Sequence, residues 1–366
     1  MGILVFIVVI VALILVHEFG HFIVAKLSGM RVDEFGLGYP PRAMLIGKKG
    51  ETEYTLNWLP FGGFVKIYGE DGTEGGPPDP RAFGARPRIL QALVLVAGVS
   101  MNLLFAYVLI TGALIVGTPR ALSEDELSRA THVELAVAGV LADSPASRAG
   151  LVPGDLILSA SKASGTWDAA AASGSFSDFV AASAGEPVSL IVKHNEREET
   201  LVVAPATGIN TADPERYALG IEVAPIGTLP MSLGTALVEG ARFTWGATRL
   251  TAEGLWHFFY GLAVGNADLS QVAGPVGIAG VVGGASRDGF GDLLSIMAII
   301  SINLALINLV PIPALDGGRL LVVLIEGTIR RRVSPAFTQA ATAASFALLI
   351  LLMLLVTAHD IYRIAT

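Results

Sequence analysis

The chain has 366 residues, of which 52% are hydrophobic and only 15% charged, with a formal net charge of −8 and a mean hydropathy of +0.63. Soluble domains carry about 25% charged residues, so a soluble fold is excluded, and the abundance of apolar residues excludes a disordered one. The acidic balance argues against nucleic acid as a partner, and the absence of cysteine removes disulfides and thiolate metal sites together.

What remains is a polytopic α-helical membrane protein with a polar insert. A bilayer-crossing helix takes about 20 apolar residues, and four segments qualify: 1–27, 89–116, the apolar start of 293–318, and 340–357. The first lacks the basic start and small-residue cleavage site of a signal peptide, so it reads as a retained span. Between the first two spans, the loop 28–88 alternates well enough for short strands at 31–37, 53–59 and 63–68, and 70–80 (EDGTEGGPPDP) has the composition of a linker. The insert opens with a compact mixed domain at 134–205, where Ser144-Pro145-Ala146 and Gly154-Asp155-Leu156-Ile157 crowd turn and strand signals together. Residues 229–264 then carry amphipathic helical character with Trp245, Trp256, Phe258, Phe259 and Tyr260. Such aromatics suit helices at a membrane interface and equally the core of a helical hairpin.

Lys and Arg orient the spans. Eight lie in 28–88 with Lys26 at its edge, and four (Arg319, Arg330, Arg331, Arg332) follow the third span, whereas the long insert holds ten among twenty acidic residues. The positive-inside rule places the first and third loops in the cytoplasm and the insert and both termini outside a plasma (inner) membrane.

The first span contains His17-Glu18-Phe19-Gly20-His21. Histidines at i and i+4 share one helix face, so two imidazoles reach the same ion. Glu18 beside them is placed to take a proton from water activated by that ion. An acidic group within an apolar span costs about 3 kcal/mol, which marks this cluster as functional. A catalytic zinc takes three protein ligands and leaves a position open. The FIVAKL after His21 lacks the glycine and third histidine of the metzincins, and Tyr39-Pro40-Pro41 stands where the thermolysin type carries its glutamate. His132, His194, His257 and His359 lie in the insert or near the far terminus. Asp316 is the best third ligand: it follows Pro311 and Pro313 at the cytoplasmic end of the third span, the depth expected of His17 and His21. Two imidazoles and a carboxylate suit zinc (Zn2+). A metal transporter would spread its ligands over several depths, whereas this chain has one cluster.

HEFGH in the first span, NLALINLVPIPALDGG in the third and a small insert between them resemble the site-2 protease family of intramembrane zinc metalloproteases, in particular its bacterial regulator of sigma-E protease branch. The resemblance implies zinc on His17, His21 and Asp316, with Glu18 as general base. It implies substrate-binding roles for Asn303 and Asn308, and a membrane-associated β-hairpin around Gly62 and Gly63 that pairs with an extended substrate strand. Asn102, in the Gly98-Val99-Ser100-Met101-Asn102 stretch of span two, joins them as a site-lining candidate. SPASRAGLVPGDLI is similar to the PDZ domains of these proteases, with room for a single one, which implies a peptide or protein ligand or a size filter outside the membrane. The implied activity is cleavage of membrane protein substrates in or near their membrane segments, as in regulated intramembrane proteolysis of anti-sigma factors or removal of signal-peptide remnants. The alternative is a non-catalytic PDZ-bearing membrane scaffold.

Overall fold

The computed structural model describes residues 2–365 apart from 71–78, 123, 128–129, 170–174, 195–196, 211–212, 266–273 and 332. Most of the linker expected at 70–80 therefore lies outside the described residues. The chain divides into two compact units, Met1–Val116 with Ser232–Thr366, and Gly117–Met231.

In the first unit, α1 (Gly2–Leu27) buries Val9, Leu13, His17, Gly20, His21 and Ala25. That stripe repeats every three to four residues, although apolar side chains surround the whole helix; the partner helices, not hydropathy, define its inner face. After α1 come β1 (Val32–Lys49) and β2 (Thr52–Ile67), where three short strands were expected. Both strands fold back on themselves. Gly36 pairs with Phe64 on one side and Thr55 on the other, and Leu37 with Gly63 and Leu56, while the far limb of β1 joins β2 through Leu45↔Thr55 and Lys48↔Glu53. Four limbs thus lie side by side, with Gly63–Ile67 at one edge. Arg42 bridges Glu34 (3.1 Å) and Glu53 (3.0 Å), and Lys48 reaches Glu53 at 3.3 Å. Hydrogen bonds from Lys48 and Arg42 hold the Glu53 carboxyl below its ordinary pKa. Met30, Val32, Ile67, Phe83, Leu95 and Val323 share one apolar cluster that anchors the sheet to its neighbouring helices.

Helix α2 (Arg88–Val116) follows. In the second unit, β3 (Pro119–Ala121), α3 (Glu124–Leu127), β4 (Thr131–Val140), α4 (Pro145–Arg148), β5 (Leu156–Lys162), β6 (Gly165–Asp168), α5 (Phe176–Ala181), β7 (Val188–His194), β8 (Arg197–Val203) and β9 (Ile221–Thr228) succeed one another. The sheet runs β3-β9-β4-β5-β7-β8, with β6 on β5. The unit is therefore wider than the 134–205 expected. The chain returns as β9 to lie between β3 and β4, covering what would otherwise be an open edge of β4. Ser144 caps α4 by accepting from Ser147 N–H (3.1 Å), with Pro145 at its first position, so the SPA signal is a helix start. Leu190 is fully buried among Ile157, Val188 and Trp167, and Trp167 packs edge-on against Phe176 at 5.0 Å. Leu190→Ala is expected to destabilise this unit by about 2–5 kcal/mol. Hydrogen exchange on the full chain would read this as lost protection in β5 and β7 with α1 unchanged; unchanged protection in β7 would contradict it.

The first unit resumes with α6 (Leu233–Ala263), a single 31-residue helix capped by Ser232. It meets α2 where Gly240 abuts Thr111 and Tyr107 Oη donates to Leu237 O (3.2 Å). Trp245, Trp256 and Tyr260 are exposed, so they are not core residues of a helical hairpin. Helices α7 (Pro275–Asp288), α8 (Phe290–Leu309), α9 (Asp316–Ile329) and α10 (Pro335–Ala365) complete the chain. Against α2, α8 presents Ala298, Ser301, Ile302 and Ala305, mostly small residues of the kind that let helix backbones approach in lipid. Among the described residues four helices are long and apolar enough to cross a membrane: Gly2–Leu27, Arg88–Val116, Phe290–Leu309 and Ala336–Ala358. The third ends at Leu309 and does not continue to 318. Prolines at 311 and 313 remove two backbone donors, and a new helix starts at Asp316.

Candidate active site

His17 and His21 project from consecutive turns of α1 onto the same point. His17 Nε2 lies 3.1 Å from His21 Nε2, and Asp316 Oδ2 lies 2.9 Å from the first and 3.2 Å from the second. The three atoms form a nearly equilateral triangle. Ligand atoms about 2.0–2.1 Å from a tetrahedral ion are separated by about 3.3 Å. The edges of this triangle match that within a few tenths of an ångström, so the three residues fit one zinc ion. They are the cluster of His, Asp and Glu side chains with this convergence among the described residues.

Each ring also has a contact behind it. His21 Nδ1 is 2.8 Å from the carbonyl oxygen of Val94, and His17 Nδ1 is 3.2 Å from Asn102 Nδ2. Asp316 is delivered by the break between α8 and α9. A side chain on Gly317 would strike the carbonyls of Leu309 and Val310, and one on Gly318 that of Ile312. The two glycines therefore let the first turn of α9 tuck under the returning chain, which sets the carboxylate at the depth of the histidines.

Glu18 faces a cavity of about 750 Å³ that His17, His21, Gly63, Asn308 and Asp316 also line. No hydrogen bond or ion pair engages its carboxylate among the described residues. Gly62 and Gly63 lie on the cavity wall at the edge limb of β2, and a Cβ at Gly63 would sit 3.2 Å from Glu18 Cγ. Backbone alone therefore borders the carboxylate on this side.

The remaining expected residues divide. Asn308 lines the cavity with its Nδ2 3.5 Å from His17 Nε2. Asn303 is off the cavity wall: five residues along α8 is roughly 140° of helical turn, so the two asparagines face different ways. Asn102 is fully buried behind His17 and is not among the residues that line the cavity. Gly98 was noted in the sequence only as part of the stretch before Asn102. It is where α2 meets the two imidazoles, and a side chain there would collide with both. The signal available was its place four residues before Asn102, one turn of the same face.

An HExxH helix of membrane-spanning length, closed by a carboxylate from a broken later span, is the architecture of a membrane metalloprotease. The sequence matches Peptidase family M50 over residues 5–352, and the chain belongs to that family. It is 36% identical over 353 residues to a protein of Clostridium perfringens named as a zinc metalloprotease, covering 96% of this chain and 95% of that one. A Nostoc protein of the same designation is 36% identical over 335 residues, 89% of this chain and 86% of its own. The zinc metalloprotease RasP of Oceanobacillus iheyensis is 27% identical over 445 residues, with 98% of each chain covered.

Proposed function

We propose that this protein is an intramembrane zinc metalloprotease that hydrolyses a peptide bond in or near the membrane segment of other membrane proteins. His17, His21 and Asp316 hold the zinc and Glu18 is the general base. The observation that carries the reading is the triangle of Nε2, Nε2 and Oδ2 atoms beside a carboxylate that has no hydrogen bond or ion pair among the described residues. Held there, zinc supplies Lewis-acid polarisation of a carbonyl and makes water acidic enough to attack near neutral pH. Glu18 accepts the proton of the attacking water and returns it to the leaving amine. Asn308 donates an amide hydrogen bond to the substrate backbone across the cavity.

A peptide bond inside a helix is shielded by its own hydrogen bonds, so the substrate has to be extended first. The edge limb at Gly63–Ile67 has β1 on one side, and its first residues line the cavity. An extended substrate adds there as a further strand, with Gly62 and Gly63 leaving room for its backbone. The insert acts outside the membrane as a PDZ-like filter or peptide-binding module, both termini lie on that same side, and the site opens near the cytoplasmic face. Zinc content per chain in detergent tests the site, for wild type and Asp316→Ala. About one zinc in the wild type and a clear loss in the variant is the expected result. Full zinc occupancy in Asp316→Ala would remove Asp316 from the ligand set.

A further inference from the structure

Asn102 Oδ1 is buried and has no hydrogen-bond partner among the described residues, while the same side chain turns Nδ2 toward His17 Nδ1 at 3.2 Å. A neutral imidazole that offers Nε2 to a metal carries its proton on Nδ1. With zinc on Nε2, an amide NH2 facing Nδ1 would set donor against donor. The two ends of an asparagine amide have the same shape, and a half-turn about the last side-chain bond exchanges them. The tautomer demanded by the metal decides between the two orientations.

We propose that Asn102 Oδ1 accepts a hydrogen bond from His17 Nδ1–H, fixing the tautomer and ring plane that present Nε2 to the zinc. Asn102 is then a positioning residue and not a substrate contact. The other histidine supports this. His21 Nδ1 faces the Val94 carbonyl at 2.8 Å, and a carbonyl only accepts, so Nδ1 of His21 is a donor and its Nε2 is free for a metal. Both acceptors come from α2, at Val94 and Asn102, eight residues or about two turns apart. Gly98 falls midway on the same face, where its missing side chain admits both rings. The stripe 94, 98 and 102 on α2 thus forms a cradle for 17 and 21 on α1. Ser301 of α8 donates from Oγ to the Asn102 carbonyl (2.8 Å), tying the cradle to the span that leads to Asp316.

The inference rests on His17 being a zinc ligand. Competition with a chromophoric chelator measures zinc affinity of the full chain for wild type, Asn102→Asp and Asn102→Leu. Asp keeps the shape and an acceptor but loses the amide donor; Leu loses both. Asn102→Asp is expected to bind zinc within a few-fold of wild type, and Asn102→Leu about 10–100-fold more weakly, the usual effect of removing such a partner. If Leu at 102 prevents folding, Asn102→Asp decides alone: binding within a few-fold of wild type is the expected result, and a loss of ten-fold or more overturns the proposal. Asn102→Asp binding as poorly as Asn102→Leu, or Asn102→Leu binding as wild type does, overturns the proposal. Wild type with no zinc at all overturns the metal site itself, and this reading with it.

Discussion

Replacing Glu18 by Gln is expected to slow peptide-bond hydrolysis by roughly 10²–10⁴-fold while zinc content stays at the wild-type level. Gln keeps the volume and one oxygen but cannot take a proton at neutral pH. Glu18 lines the cavity beside the triangle but supplies none of its donor atoms, so its loss leaves the three ligands in place. Asp316→Ala is expected to behave differently: on the proposed ligand set it removes a ligand and lowers zinc and turnover together. The pair therefore separates proton transfer from metal binding, which a loss of activity alone would not do. Cleavage of a membrane-segment substrate by purified protein in detergent or liposomes is the assay, with zinc measured on the same samples. Glu18→Gln cleaving within ten-fold of wild type would send the base role elsewhere. A scaffold without catalysis predicts no cleavage in any variant, wild type included.

Much of this centre was legible because it is local. His17, Glu18 and His21 occupy one turn, and helical period alone puts both imidazoles on one face. Asp316 was legible because Pro311 and Pro313 end a span just before it. What the sequence did not carry was direction between elements. Asn102, Asn303 and Asn308 are alike as polar residues in apolar spans, but their roles depend on how α2 and α8 are rotated against α1. Only the assembled helices show that Asn308 faces the cavity, that Asn303 is turned from it, and that Asn102 stands behind His17. The sheet was misread for a related reason. Gly36, Gly38, Pro40 and Pro41 interrupt the alternation in β1, so one long bent strand reads as a short one followed by turn material. The double partners of Gly36 and Leu37 are non-local and leave no trace in a window of a few residues. β9 was missed likewise, since its partners β3 and β4 lie about a hundred residues earlier.

Gly98→Ala is expected to weaken zinc binding strongly, because its added methyl falls directly on the two imidazoles. A Cβ at that position would meet His21 Nε2 and lie 2.8 Å from both His17 Cε1 and His21 Cε1. The rings have little room to yield, since His21 is held by the Val94 carbonyl and His17 by Asn102, and both Nε2 atoms are committed to the triangle. The alternative is for the helices to part. That would open the seam right beside Gly98, where a Cβ on Gly20 would come 2.5 Å from the Ala97 carbonyl oxygen. Overpacking of a filled site costs about 1–3 kcal/mol. If the strain falls on the ligand rings, zinc affinity drops by roughly 10–100-fold, since each decade corresponds to about 1.4 kcal/mol. Gly112→Ala on the same helix is the control, because its Cβ would meet only Leu294 Cδ1 at 3.5 Å, an ordinary contact. Chelator competition and thermal unfolding of the two variants in one detergent read the difference. The expected order is Gly112→Ala near wild type and Gly98→Ala far below it in zinc affinity, with cleavage falling in step. Equal zinc affinity in the two variants would mean that the contact of α1 with α2 yields at Gly98 without moving the histidines, and that the cradle on α2 does not set the ligand geometry.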